Sequence, residues 1–195
     1  MNKRLVLLRH GNTGYPGRYI GAKDVPLSSD GFSQIGKLKS IFQNLHFDSI
    51  YSSPMIRCRQ SGEILFDGQP VFFDDDLKEI DFGRWEGLQF DEIVEDDPEL
   101  VKEWADWNSN FCFPEGERID HFIKRVHRAG ARIKETSGEN VLLITHGGVI
   151  RTLICFFLNL DPKDYLMFQV QKGKYTTMEL FDNGAVLSGL NHGLE

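Results

Sequence analysis

Two histidines stand in matched settings far apart in the chain: Arg9-His10-Gly11-Asn12-Thr13 and Thr145-His146-Gly147-Gly148. Each follows a short apolar run, Leu5-Val6-Leu7-Leu8 in one case and Val141-Leu142-Leu143-Ile144 in the other. Such a run reads as a strand buried on both faces. In an open parallel sheet, ligands bind beyond the carboxyl ends of the strands. If these two strands are parallel neighbours, both imidazoles face one crevice. Arginine completes the set. Arg9 precedes the first histidine, and Arg57 lies in Ser52-Ser53-Pro54-Met55-Ile56-Arg57-Cys58-Arg59-Gln60-Ser61, in the first turn of a helix that opens just past another strand end. Helix N-termini attract anions, and guanidinium forks match phosphate oxygens. One such cation within about 4 Å of a phosphoryl group gains on the order of 4 kcal/mol per unit charge at an effective dielectric of about 20. Arg59 reads as a solvent-facing partner of nearby acids.

Two imidazoles and two guanidiniums point to covalent transfer of a phosphoryl group to histidine, with cations spread over its equatorial oxygens. The second imidazole helps to hold the transferring group. Neither a P-loop nor a Gly-x-Gly-x-x-Gly order is present, so the nucleotide-binding loops are not expected. Glu79 or Asp81 could complete a metal site with the histidines, but the flanking arginines disfavour a cation there, and no metal or cofactor is expected. The leaving alkoxide needs a proton, worth about 10²–10⁴ in rate. A carboxylic acid whose pKa is raised by burial could donate it. Glu79, Asp81 and Glu86 are the candidates, within Leu77-Lys78-Glu79-Ile80-Asp81-Phe82-Gly83-Arg84-Trp85-Glu86-Gly87, and spacing does not choose among them.

The elements that must position these residues are legible by period. Ser49-Ile50-Tyr51 and Val71-Phe72-Phe73 are shorter strand candidates, and Asp182-Asn183-Gly184 marks a hairpin between Thr176–Phe181 and Ala185–Leu190,. Helical spacing covers 31–45, with Ser28 as its cap, and 117–135 and 148–158,. Pro54 suits the first turn of a helix through Leu65. Strands and helices alternate at both ends, so the fold class is α/β, a mostly parallel central sheet with helices around it. Residues 86–116 break the pattern, mixing acids with aromatics, and read as a helical insertion or cap on a single domain spanning 1–195.

The 195 residues carry 22 Lys and Arg against 29 Asp and Glu, a formal charge of −7. That disfavours nucleic acid and anionic membrane as partners, while a cleft can still focus positive potential on a small anion. Cys58, Cys112 and Cys155 are odd in number and form no Cys-x-x-Cys pair, which reads as free thiols in a reducing compartment. The apolar run after Lys3-Arg4 is too short for a signal peptide, and no segment approaches a membrane span. The expected location is cytoplasmic. The expected partner is a small phosphate monoester, with a homodimer left open.

Together, Arg9-His10-Gly11, Ser53-Pro54 with Arg57, Glu79 ahead of Phe82-Gly83 and Trp85-Glu86-Gly87, and Thr145-His146-Gly147-Gly148 resemble the histidine phosphatase superfamily, in its phosphoglycerate mutase-like branch. The resemblance spans residues 4 to about 155. It implies a three-layer α/β/α sandwich and no required metal. It also implies His10 as nucleophile, Arg9, Arg57 and His146 as the phosphate pocket with Asn12, Thr13 and Gly147 beside them, and Glu79 as proton donor. The chain departs from the pattern at Asn12, where the family usually has glutamate, and at Pro16, where it often has a phosphate-contacting asparagine. Thr13 remains, and Gly14, Gly17 and Gly21 leave the loop able to offer backbone N–H groups.

Mutases of this branch are similar but carry a basic segment after the proton-donor region. Here that stretch holds Asp91, Glu92, Glu95, Asp96, Asp97 and Glu99 against Lys102. The acids favour a phosphatase acting on a larger monoester. Phe113-Pro114-Glu115-Gly116-Glu117 looks similar to α-ribazole-5′-phosphate phosphatases, which act in cobalamin assembly. A cofactor-dependent phosphoglycerate mutase and a non-catalytic phosphate-binding relative are the alternatives. Trp104, Trp107 and Phe111 either stack on a substrate ring or pack a cap against the sheet, the second being favoured.

Overall fold

The computed structural model describes residues 2–66 and 68–193. Its centre is a six-stranded sheet in the order β3-β2-β4-β1-β5-β6. The strands are β1 (Lys3–Arg9), β2 (Ser49–Ser52), β3 (Phe72–Phe73), β4 (Asn140–Thr145), β5 (Tyr175–Phe181) and β6 (Gly184–His192). The pairs β1–β4, β4–β2 and β2–β3 are parallel, while the hairpin β5–β6 adds antiparallel to β1. The helices are α1 (Ser29–Phe42), α2 (Ile56–Leu65), α3 (Phe90–Asp96), α4 (Pro98–Ala105), α5 (Ile119–Glu135) and α6 (Gly147–Leu158).

Strand side chains alternate between faces, and the two apolar runs divide accordingly. Leu5, Leu7, Val141 and Leu143 join a core built with α5 and α6, through Val126, Ala129, Ile133, Val149 and Leu153. Val6, Leu8, Leu142 and Ile144 join the opposite core with Ile35, Leu38 and Phe42 of α1 and Cys58 and Leu65 of α2. Burial on both faces is why neither run contains a polar residue. The result is the three-layer α/β/α sandwich.

The predicted elements shift at their edges. Ser28 caps α1 as expected, its Oγ accepting from Gly31 N–H at 3.2 Å, but the helix ends at Phe42 and leaves Phe32 44% exposed. Gly31 is needed because a Cβ there would lie 2.1 Å from the Asn12 carbonyl. That close approach presses the loop after β1 onto the start of α1. The second helix begins at Ile56, with Met55 as cap and Pro54 outside it. Between 86 and 116, Trp104 of α4 and Phe111 and Phe113 of the loop after it pack around Trp85, whose Nε1–H donates to Asp97 Oδ2 at 2.7 Å. Arg84 pairs with the same carboxylate. No helix among the described residues is long and apolar enough to cross a membrane.

Candidate active site

The register pairs Arg9 with Thr145 across β1 and β4, so the next residues, His10 and His146, leave the sheet side by side. Their rings are 5.1 Å apart at the centroids and inclined by 61°. His10 Nδ1 lies 2.8 Å from the Gly11 carbonyl. A carbonyl only accepts, so Nδ1 carries the proton and Nε2 keeps its lone pair. Burial, then the nearby Arg57 and Arg9 charges, hold the imidazole well below the ordinary histidine pKa, so it is neutral and nucleophilic near pH 7.

His146 has a different set of partners. Arg57 Nε–H donates to its Nδ1 at 3.2 Å, which leaves the Nε2 proton for Ser53 Oγ at 2.8 Å. Burial and then Arg57 hold it neutral as well. Arg57, fully buried, donates from Nη1 to the Lys23 carbonyl at 3.0 Å and from Nη2 to the Gly21 carbonyl at 2.7 Å. The fork expected for phosphate is therefore largely committed to a loop, and its charge faces His10 without most of its hydrogen bonds. Arg9 is freer. Its Nη1 donates to Val170 O at 2.6 Å, while its buried Nε has no partner among the described residues. Desolvation outweighs the neighbouring Glu79 charge and brings this guanidinium down to about 10. A buried unpaired N–H costs about 1–3 kcal/mol, so this one is a place for an anion.

The three candidate acids separate. The Glu86 carboxylate accepts from the N–H groups of Gly21 (3.0 Å), Ala22 (2.7 Å) and Phe82 (3.2 Å). It staples two loops and has no oxygen left for a leaving group. It also takes the Gly21 N–H that the sequence left available for phosphate, and Gly21 instead offers its carbonyl to Arg57. Asp81 accepts from Gly83 N–H at 2.8 Å and turns the chain. Glu79 reaches the first turn of α6, where Gly148 N–H donates to its Oε2 at 3.0 Å. Its backbone is fixed by Arg125, whose guanidinium donates to the carbonyls of Asp76, Lys78 and Glu79 and to both oxygens of Glu117. Gly147 is buried against the Arg9 guanidinium, 3.0 Å from where its Cβ would be. Asn12 Oδ1 accepts from Gly14 N–H at 3.1 Å and shapes the loop; Thr13 is buried beside it.

Glu79 stands between two cavities. One, about 440 Å³, is lined at its polar end by Arg9, Glu79 and Arg151 and elsewhere by aromatic side chains, among them Tyr19, Trp104 and Trp107. The other, about 610 Å³, is lined by Asp75, Asp76, Asp81 and Glu117 as well as Arg125. Charge decides between them for a phosphate dianion, which the second would repel. Trp107 stacks on Tyr165 at 5.2 Å and holds φ at 53°, the left-handed region that a bulky side chain rarely adopts,. Phe111 is buried in the core, so the expected aromatic trio splits: Trp104 and Trp107 face the cavity and Phe111 packs the cap. Arg125, Arg151 and the Glu86 staple had no sequence signal, since each is a charged residue whose partners are distant in the chain. Among the described residues, no group of His, Cys, Asp or Glu is arranged to hold a metal ion.

Comparison with known proteins bears on this geometry. Residues 5–193 match the family model of the histidine phosphatase superfamily (branch 1). The adenosylcobalamin/α-ribazole phosphatase of Escherichia coli (strain K12) is 30% identical over 195 residues, covering 96% of this chain and 95% of the relative. The crystal structure of the α-ribazole phosphatase of Shigella flexneri superimposes with a TM-score of 0.89 at 28% identity, covering 98% of this chain and 99% of that one. The phosphoserine phosphatase of Entamoeba histolytica, solved with 3-phosphoglyceric acid, gives 0.82 at 27% identity and covers 97% of each chain.

Proposed function

The chain belongs to branch 1 of the histidine phosphatase superfamily and is a phosphatase, and we propose that it hydrolyses small phosphate monoesters through a phosphohistidine formed at His10 Nε2. The observation that carries this reading is the bond from His10 Nδ1 to the Gly11 carbonyl at 2.8 Å, which leaves Nε2 unprotonated in a site where the buried Arg9 Nε–H has no partner among the described residues. Nε2 attacks phosphorus, the P–O bond to the leaving group breaks, and Glu79 in its acid form gives the departing oxygen a proton. The Glu79 carboxylate then takes a proton from water as that water attacks phosphorus. The P–N bond breaks and its electron pair returns to Nε2, releasing inorganic phosphate. Arg9 neutralises the phosphoryl oxygens. Arg57 and His146 brace each other beneath the nucleophile, and Asn12, Thr13 and Gly147 shape the phosphate end.

The substrate proposed is α-ribazole 5′-phosphate or a similar monoester with a ring-bearing leaving group. The cavity beside Arg9 has aromatic walls, and the Escherichia coli relative carries that activity in its name. No metal takes part in the proposed reaction. The chain is proposed as one domain with residues 86–116 as its cap, and three unpaired cysteines fit a cytoplasmic location. The test is a quench with ³²P-labelled monoester. Acid-labile label on His10, absent from His10→Ala, is expected; brisk hydrolysis with label elsewhere or nowhere would overturn the mechanism. Incubation with 3-phosphoglycerate and the bisphosphorylated primer should give phosphate release in excess of isomer. The reverse would make the chain a mutase.

A further inference from the structure

The segment leading into β5 lies against the end of β1. Gly173 N–H approaches the Arg9 carbonyl at 3.2 Å and the His10 carbonyl at 3.0 Å, and Val170 O receives Arg9 Nη1 at 2.6 Å. Residue 172 is thereby held one peptide from the backbone of the nucleophile. It is a lysine, half-buried, and its ammonium makes no hydrogen bond or ion pair with the described residues. Burial disfavours its charge, the Arg9 and Arg57 charges add to that, and Lys172 in turn disfavours a proton on His10.

A half-buried cation set among guanidiniums with no counter-charge of its own is unfavourable until an anion arrives. Donor accounting says what that anion would meet. Arg57 has Nε, Nη1 and Nη2 engaged by His146, Lys23 and Gly21. Arg9 has one bond, from Nη1, with Nε and Nη2 open among the described residues. Lys172 alone of the three has every N–H open.

We propose that Lys172 is a phosphoryl-binding residue, donating directly to an oxygen of the phosphate that enters at His10 while Arg57 contributes charge from behind. This rests on the reading that His10 receives the phosphoryl group. The mundane alternative is a loop lysine whose ammonium stays in solvent. The two differ in how inorganic phosphate and orthovanadate inhibit hydrolysis of p-nitrophenyl phosphate by the wild type, Lys172→Gln and Lys172→Arg, with thermal melting measured alongside. Loss of one charge-assisted bond should raise both inhibition constants about 10- to 100-fold in Lys172→Gln, with Tm unchanged, and Lys172→Arg should recover to within about threefold of wild type. Inhibition constants that move less than about twofold in Lys172→Gln overturn the proposal. So does a loss that arginine does not rescue and that follows a fall in Tm, because that is a structural role. If the wild type turns over no monoester yet binds vanadate in a Lys172-dependent way, the hydrolytic reading fails and the anion site stands. If it hydrolyses normally with Lys172-independent inhibition, this inference fails by itself.

Discussion

Gly148→Ala perturbs Glu79, the proposed proton donor, without dismantling the rest of the site. A Cβ at position 148 would lie 2.5 Å from Glu79 Oε1 and 3.2 Å from its Cδ, with Phe122 Cζ at an ordinary 3.4 Å. The carboxylate must therefore retreat by roughly 1 Å to regain van der Waals separation. The backbone of Glu79 cannot follow, because Arg125 Nη2 holds its carbonyl at 3.0 Å, so the change falls on the side-chain torsions. Stability should barely suffer. The atom displaced is the far end of a flexible side chain, and alanine is the better helix former by up to about 1 kcal/mol. A change of that size moves Tm by no more than about 4 °C in a chain of this length.

Catalysis should respond strongly, since a misplacement of about 1 Å costs about 10²-fold. The response should depend on the leaving group. An alkoxide must be protonated as it departs, whereas p-nitrophenolate leaves unaided. The quantity to compare is kcat/KM, which counts steps only up to departure of the leaving group. For an alkyl monoester it should fall about 100-fold, and for p-nitrophenyl phosphate less than about threefold, within the general-acid range. Turnover number on both esters should fall together if Glu79 also activates water. Glu79→Gln should reproduce the pattern, lowering kcat more than it raises KM. Equal losses in kcat/KM on the two esters, or no loss on the alkyl ester, would refute Glu79 as the acid.

Three further outcomes follow from the site. Trp107→Ala should raise KM about tenfold for a ring-bearing monoester, the worth of one aromatic stack in a desolvated wall, and leave KM for phosphoserine within about twofold; equal effects would remove Trp107 from substrate contact. Hydrolysis should survive EDTA, and loss restored by magnesium or zinc would contradict the metal-independent route. Both His10 and His146 are held neutral well below their ordinary 6.5 by burial and by Arg57. Below pH 6.5 the unfolded chain takes up protons at these positions that the folded chain refuses, so stability falls as pH falls through this window. Denaturant midpoints should show that fall, and His10→Asn should roughly halve it; a midpoint flat across this window would mean that the imidazoles titrate freely.

The sheet and the pair of histidines were legible because both depend on local pattern. Leu5–Leu8 and Val141–Ile144 are apolar throughout, which only a strand covered on both faces demands, and each run stops at its histidine. The hairpin was equally local, since Asn183-Gly184 follows from turn chemistry alone. Boundaries were less so: α2 starts at Ile56 and not Pro54, because the cap is set by where β2 delivers the chain.

What the sequence could not separate is how donors and acceptors are allotted between distant segments. Glu79, Asp81 and Glu86 look alike in one loop, and it is the approach of residues 21–23 to Glu86 that engages both of its oxygens from a distant segment. Arg57 reads as a phosphate fork from its place at a helix start, yet the same loop supplies the Gly21 and Lys23 carbonyls that occupy it. Gln171-Lys172-Gly173-Lys174 carries no motif, and it is the pairing of β5 with β1 that brings Gly173 N–H to the carbonyls of Arg9 and His10. The division has a physical cause. A residue at a strand end is fixed by the two elements that flank it, whereas the charge field around His10 is set by Arg57 of α2 and Lys172 ahead of β5 as well as by Arg9 beside it. The motif residues therefore predict that phosphoryl transfer occurs. The residues without a motif on the cavity wall, Trp107 and Tyr165, are the ones free to determine which ester is accepted, because changing them leaves the Gly11-held imidazole and its two buried braces in place.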